Sequence, residues 1–553
     1  MKKLIAISIG LMCILNVYAN NITVQKVSIV DTNRVAKTAS VRFSISWENS
    51  WRDSINWDAA WIFIKFRESK DSVWHYRHLT LSGIGNNTSG LGNTNMKFAF
   101  PPDNKGVFYY RQEMGSGNIN MDSVKLFWNY GADGVTAIEG VEVKIFATEM
   151  VYVPAGGFCI GDGNGTIRSS NSFQLKNAPN NFVALTDKWS PLINTFININ
   201  QSGIDDASLY SSGIRISGLD GMDITGDKIA EYPDFPTGYR SFYCMKYEVS
   251  QGQYADFLNT LSIRDSSNSA YSMYIADTIT LKKVNYKYKM ALRGLDPFFS
   301  SVPVDVQRNT ILLDTVAARY TVTRPDRAFG RGNVNYFSSF SDWSALRPIS
   351  ELEYEKASRG TLAPTYKTYP SGITNPSDTI TRFWSGFDWA WGNDTSIATY
   401  SSIISTLQIN GIENGTEIFS NYNIYKRYIN IGMYGFTGGD GGTGPYRVGI
   451  FASDTSSRIL SNASYYGIMD FGKNVSQAVV TAGNSTGRYF SYKKNGDGYL
   501  NVIGNSDNNE FFSNGSTMAN AFIIKSGATS VRNSLPPPSY YGFRSVRSAP
   551  SDY

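Results

Sequence analysis

The thiols and imidazoles that suit transition-metal and redox chemistry are few in this 553-residue chain: Cys13, Cys159, Cys244, His75 and His78. Thiolates suit soft metals and imidazoles suit iron, copper or zinc. His75-Tyr76-Arg77-His78 alternates like a strand edge, and two imidazoles without further ligands read as a solvated pair. Cys159 and Cys244 fit either one disulfide or two buried thiols, because spacing alone does not bring their Cα atoms within bridging range. No imidazole base follows His78, which leaves a Ser–His nucleophile unsupported from residue 150 onward, while Ser–Lys versions stay open. Between Asn484 and Pro538, Tyr489, Phe490, Tyr492, Tyr499, Phe511 and Phe512 are set among Asn, Ser and Gly. Rigid aromatics among small, adaptable polar residues suit ligand binding at Tyr489, Tyr492 and Phe511. A loop packed under its own aromatics is the competing reading. Asp162-Gly163-Asn164-Gly165 and Asn495-Gly496-Asp497-Gly498 look calcium-like but lack the remaining ligands and read as tight turns.

The elements that must position these groups are mainly strands. Hydrophobic residues make up 42%, aromatics 14% and charged residues 18%, with Gly numbering 50, a balance that speaks against a helical or disordered chain. Lys plus Arg exceeds Asp plus Glu by 51 − 46 = 5, and Lys2 and Lys3 contribute two of these, too small an excess to suggest nucleic-acid binding. Residues 1–19 combine Lys2 and Lys3, an apolar run from Leu4 to Val17 and the pattern Val17-Tyr18-Ala19, as a secretory signal peptide does. Bulky Met12 before Cys13 argues against a lipoprotein, and no other stretch is long and apolar enough for a transmembrane segment. The expected location is therefore secreted, periplasmic or at the cell surface.

Period-2 runs at Ser40–Trp47, Ala60–Phe66, Val124–Trp128 and Val141–Phe146 predict half-buried strands and a β-sandwich over residues 20–149. From residue 150 the chain turns to short strands, Gly/Asn/Ser loops and two capped helices. Ser250 with Gln253 starts one, and Ser350 with Glu353 starts the other. Arg347, Glu351, Glu355 and Arg359 recur every four residues, which predicts i,i+4 charge pairing along one helical face. Residues 271–328 form an extension without an assigned role.

Six blocks in this second region occur in a telling order. They are Val153-Pro154-Ala155-Gly156-Gly157-Phe158-Cys159-Ile160-Gly161, Phe242-Tyr243-Cys244-Met245-Lys246-Tyr247-Glu248-Val249-Ser250, Leu346-Arg347-Pro348-Ile349-Ser350-Glu351-Leu352-Glu353-Tyr354-Glu355-Lys356-Ala357-Ser358-Arg359-Gly360, Trp389-Ala390-Trp391-Gly392-Asn393, Tyr466-Gly467-Ile468-Met469-Asp470 and Tyr541-Gly542-Phe543-Arg544-Ser545-Val546-Arg547. Together they resemble the formylglycine-generating enzyme, or sulfatase-modifying factor, family over residues 150–549. The resemblance implies an α+β domain related to C-type lectins, with little regular secondary structure. Trp389 and Trp391 read as core aromatics ahead of a sugar platform.

The resembling enzymes oxidise a sulfatase cysteine through copper held by two late cysteines. Those positions fall near Ala519 and Ile524, and no cysteine follows Cys244. A related branch holds iron with histidines, which residues 150–549 lack. Neither copper nor iron is expected. The resemblance also implies structural calcium, in one site at Asn430, Asp440 and the carbonyls of Ile431 and Gly442, and in a second at Asp470, Gln477 and the carbonyls of Lys473 and Val475. Gln477 stands where the family usually places Glu. The expectation is a non-catalytic secreted protein that recognises an extracellular protein or glycan. The alternative is a sulfatase-maturation-type oxidase, or a related metal-dependent oxidoreductase, working through another centre.

Overall fold

The computed structural model describes residues 22–68, 76–161, 173–175, 182–185, 195–197, 215–216, 222–223, 231–260, 311–314, 319–322, 325–329, 334–362, 448–449, 463–471, 475–482, 485–499, 511–513, 522–525, 532–534 and 541–550. Among these the chain is strand-rich, with mostly antiparallel sheets and short helices.

The first region contains β1 (Thr23–Asn33), β2 (Thr38–Arg52), β3 (Asp58–Glu68), β4 (Arg77–His78), β5 (Leu91–Gly92), β6 (Met96–Ala99), β7 (Val107–Arg111), β8 (Gly115–Trp128) and β9 (Val141–Val153). One sheet has the order β1-β2-β8-β5. Its edge strand β1 breaks register between Gln25 and Ser28 and between Val30 and Asn33, and Lys26 and Asp31 adopt positive φ there. Such irregularities twist an edge away from further pairing.

Short antiparallel pairs follow: β10 (Phe158–Gly161) with β12 (Phe182–Leu185), β11 (Phe173–Leu175) with β13 (Thr195–Ile197), and β14 (Arg215–Ile216) with β15 (Met222–Asp223). Next come β16 (Phe242–Met245), α1 (Gln251–Leu258), β17 (Ile311–Asp314) paired with β18 (Arg319–Val322), α2 (Val334–Trp343), β19 (Arg347–Pro348) and α3 (Glu351–Arg359). The chain continues with β20 (Ser476–Val480), α4 (Ser485–Arg488), β21 (Phe522–Lys525), β22 (Arg532–Ser534), β23 (Tyr541–Gly542) and β24 (Ser545–Ser548).

The larger sheet, ordered β19-β24-β16-β9-β3-β7-β6 with β4 beside β3, runs through both regions. The division drawn between residues 149 and 150 falls inside β9. This strand pairs with β3 from Val141 to Val151 and with β16 from Met150 to Val153. β3 therefore has two buried faces rather than the single one expected from alternation. Ala60, Ile62, Ile64 and Phe66 share a core with Val41, Phe43, Ile45 and Trp47 of β2 and with Ile119, Met121, Val124, Leu126 and Trp128 of β8. Ala59, Trp61 and Phe63 face the other way, into a core with Tyr254, Phe257, Phe337, Phe340, Trp343 and Phe543. A continuous apolar run such as Trp61-Ile62-Phe63-Ile64 is the mark of a strand covered on both sides.

Both capping boxes form. The Ser250 side chain accepts from Gln253 N, the Ser350 side chain accepts from Glu353 N, and each partner side chain returns the bond. Arg347 precedes the helix, in β19, so the expected four-residue charge ladder is corrected at its start. It makes a two-pronged contact with Glu353 at 2.8 and 2.6 Å. Glu355 and Arg359 do pair at i,i+4, at 2.5 Å. All nine residues of α3 are buried, although the helix is strongly polar.

Candidate functional site

Sequence reasoning placed ligand contacts at Tyr489, Tyr492 and Phe511. Residues 489–491 run antiparallel to 511–513, with a bridge between Phe490 and Phe512. Ser491 N donates to Phe511 O at 2.9 Å, and Ser513 N donates to Tyr489 O at 2.8 Å. This pairing sorts the aromatics. Phe490, Phe511 and Phe512 are fully buried, so Phe511 is a core residue and is corrected as a ligand contact. Tyr489 and Tyr492 remain half-buried at the surface.

Tyr489 meets Tyr232 edge-to-face at 4.9 Å. Beneath them lies buried Arg488, 5.7 Å from the Tyr232 ring, with its Nε donating to Ala482 O at 3.0 Å. Burial raises the pKa of the Tyr232 phenol, with Arg488 opposing. Arg240 and Lys493 approach the Tyr492 ring at 5.0 and 5.5 Å. The Tyr492 backbone is fixed at both ends, donating to Asp234 O at 2.9 Å and accepting from Ser548 Oγ at 2.8 Å. Lys493 pairs with Asp234 at 2.5 Å, and Lys494 donates to Phe512 O at 2.9 Å. The result is a strip of tyrosines bordered by cations, suited to stacking and to anionic groups. Tyr232 and Arg240 were not anticipated, because they lie far from the aromatic-rich stretch in sequence.

Of the calcium ligands expected from the resemblance, Asn430, Ile431, Asp440, Gly442 and Lys473 lie outside the described residues, as do Ala519, Trp389, Trp391 and His75. Ile524 lies in β21, where its backbone pairs with Ala478 and Asn533. Asp470, Val475 and Gln477 do come together, around Arg544. The guanidinium donates to Gln477 Oε1 at 3.0 Å, to Met245 O at 3.2 Å, to Lys246 O at 3.0 Å and to Met469 O at 2.5 Å. Gln477 Nε2 donates to Glu248 at 3.1 Å, and Asp470 Oδ2 accepts from Gly449 N at 2.5 Å. The Gln477 amide oxygen faces a guanidinium, whose positive charge opposes a cation placed beside it. Asp470, Val475 and Gln477 of the second calcium set thus gather around an arginine-centred network, while its fourth member, the Lys473 carbonyl, lies outside the described residues. Burial pushes the Glu248 carboxyl well above its usual range, opposed by Arg544 and assisted by Asp470.

Cys244 is a free, buried thiol, and burial pushes its pKa up to about 12, far from a reactive thiolate. His78 corrects the solvated-pair reading. It is fully buried, stacks on Phe63 at 6.0 Å and places Nε2 2.5 Å from Lys105 O. Burial, then nearby Lys65, holds its pKa well below the usual imidazole value. Lys65, the polar member of the inward row of β3, donates to Gly498 O at 2.7 Å. Burial lowers its pKa to about 7 against the pull of Asp342 and Asp497. Gly498, at φ +83°, lies against the His78 ring, and a Cβ there would collide with it. The Asn495-Gly496-Asp497-Gly498 turn thus serves as a latch between the two regions. No family model matches the chain, and a search of curated proteins finds no significant match to it.

Proposed function

We propose that the chain is a secreted or cell-surface binding and assembly protein. In this reading residues 1–19 are a cleaved signal peptide and residues 20–149 form a β-sandwich. Residues 150–549 form a formylglycine-generating-enzyme-like, C-type-lectin-like α+β domain without the copper-binding cysteines. The ligand is an extracellular protein or glycan carrying anionic groups, bound across Tyr232, Tyr489 and Tyr492 with Arg240 and Lys493 beside them.

The observation that carries this reading is the sorting of aromatics along 489–492. Phenylalanines lock the strip from below, and the tyrosines stay half-exposed on a fixed backbone. Rigid, preorganised aromatics lose little freedom on binding. No described helix is long and apolar enough to cross a membrane. Calcium is proposed at the first oxygen set, Asn430, Ile431, Asp440 and Gly442, as a structural ion. The test is binding of the natural chain and a Tyr489→Ala/Tyr492→Ala variant to acidic and neutral glycan arrays and to purified envelope proteins. The variant should lose a ligand that the natural chain holds while melting at the same temperature. Equal binding by both proteins would remove the tyrosine strip from the proposal.

A further inference from the structure

Where β3, β9 and β16 run side by side, three charged side chains meet on the face toward β2. Lys246 Nζ lies 2.8 Å from Glu149 Oε2, 3.4 Å from Asp58 Oδ2 and 3.4 Å from Asn49 O. All three charged groups are buried, and the Trp51 and Tyr247 rings lie 5.0 and 5.5 Å from the amine. Asp58 receives three donors: Trp47 Nε1 at 3.1 Å, Ser50 Oγ at 2.7 Å and Trp51 N at 3.1 Å. Donors fixed on carboxyl oxygens stabilise the negative charge that develops there when the carbon is attacked. Burial pushes the Glu149 carboxyl up to about 7, so it can hold a proton near neutrality. Burial opposes the charge on Lys246, but Glu149, Tyr247 and Asp58 outweigh it and raise its pKa, so the amine starts as an ammonium.

We infer that Lys246 and Asp58 condense into an intramolecular amide that covalently joins β3 to the segment after β16, with Glu149 as the proton carrier. The step proceeds from the minor state in which the ammonium has passed one proton to Glu149, 2.8 Å away, and the freed amine attacks Asp58 Cγ. As the C–N bond forms, one carboxyl oxygen leaves as water, taking one hydrogen from the nitrogen and one from Glu149. Ammonium plus carboxylate becomes amide plus one water, Glu149 returns to its starting state, and no co-reactant is needed. Fixed contact in a dry site supplies the effective concentration that free amines and carboxylates lack in water. The neutral product also removes the desolvation penalty borne by a buried ion pair.

Intact-mass measurement of the purified full chain, incubated at neutral pH, tests this inference directly. The natural protein should weigh one water less than its sequence from the observed N-terminus, and digestion should release a branched peptide joining Lys246 to Asp58. Asp58→Ala should restore the full mass. Glu149→Gln should slow the appearance of the branched peptide in protein whose near-ultraviolet circular dichroism is native. A natural chain that is folded by the same criterion, has its full mass and yields no branched peptide overturns the inference, however the variants fold. Water loss mapped to other residues overturns it equally.

Discussion

Between residues 22 and 161 the largest fully buried side chains are Trp47, Trp61, Trp128, Tyr109 and Tyr130, whereas from residue 231 onward they are Arg327, Arg347, Arg488, Arg544 and Arg547. The first region is held by non-directional burial, which tolerates exchanges that conserve volume. The second is held in large part by guanidinium groups that must each meet acceptors in fixed places. Arg547, for example, reaches Ala345 O and Asp103 while lying 4.7 Å from the Trp61 ring. A buried polar network specifies one arrangement, and it fails sharply when a member is lost.

The largest expected effect probes that contrast directly. Arg544→Met should destabilise the protein by about 3–5 kcal/mol in urea unfolding, because it leaves four buried oxygens without their shared donor. Ile62→Val in β3 should cost only about 1 kcal/mol. Equal losses from the two substitutions would erase the distinction. Ser350→Ala removes the N-cap of α3 and should cost about 1 kcal/mol, with circular dichroism showing the rest of the fold retained.

The junction of the two regions has a pH signature. The Lys65 pKa is depressed to about 7 from an unfolded value near 10.5, so the unfolded chain binds more protons between these limits. Stability from this group should therefore rise as pH increases from about 7 toward 10.5, and below about 7 the full burial penalty applies. Lys65→Met should flatten that rise, and an unchanged slope would show that Lys65 does not titrate in this window. The smallest stability effect belongs to the surface strip, where Tyr489→Ala should shift unfolding by no more than about 0.5 kcal/mol.

The sequence disclosed what depends on neighbours along the chain. The strands at Ser40–Trp47 and Ala60–Phe66 and the caps at Ser250 and Ser350 were readable because alternation and capping act over a few residues. Helix α2 was missed, although Phe337, Phe340 and Trp343 recur every three residues, because serines and Asp342, poor helix formers, fill the spaces between them. The second buried face of β3 depends on elements far along the chain, so alternation showed only one. For the same reason His78 looked solvated until Gly498 and Lys105 were placed beside it. Within the candidate site, Tyr489 and Tyr492 were legible from composition, whereas the burial of Phe511 depends on its pairing with the 489–491 segment.

β24 lies between β16 and β19 as an interior strand of the large sheet, and Ser545 N reaches Met245 across 300 positions of sequence. Closing so large a loop precedes much of the contact energy that rewards it, which makes for high contact order and slow folding. Until residues 545–548 arrive, β16 keeps an open hydrogen-bonding edge. That exposed ladder is where a nascent or thermally opened chain would pair with its neighbours, so the vulnerability to aggregation lies in the order of synthesis, away from the finished surface.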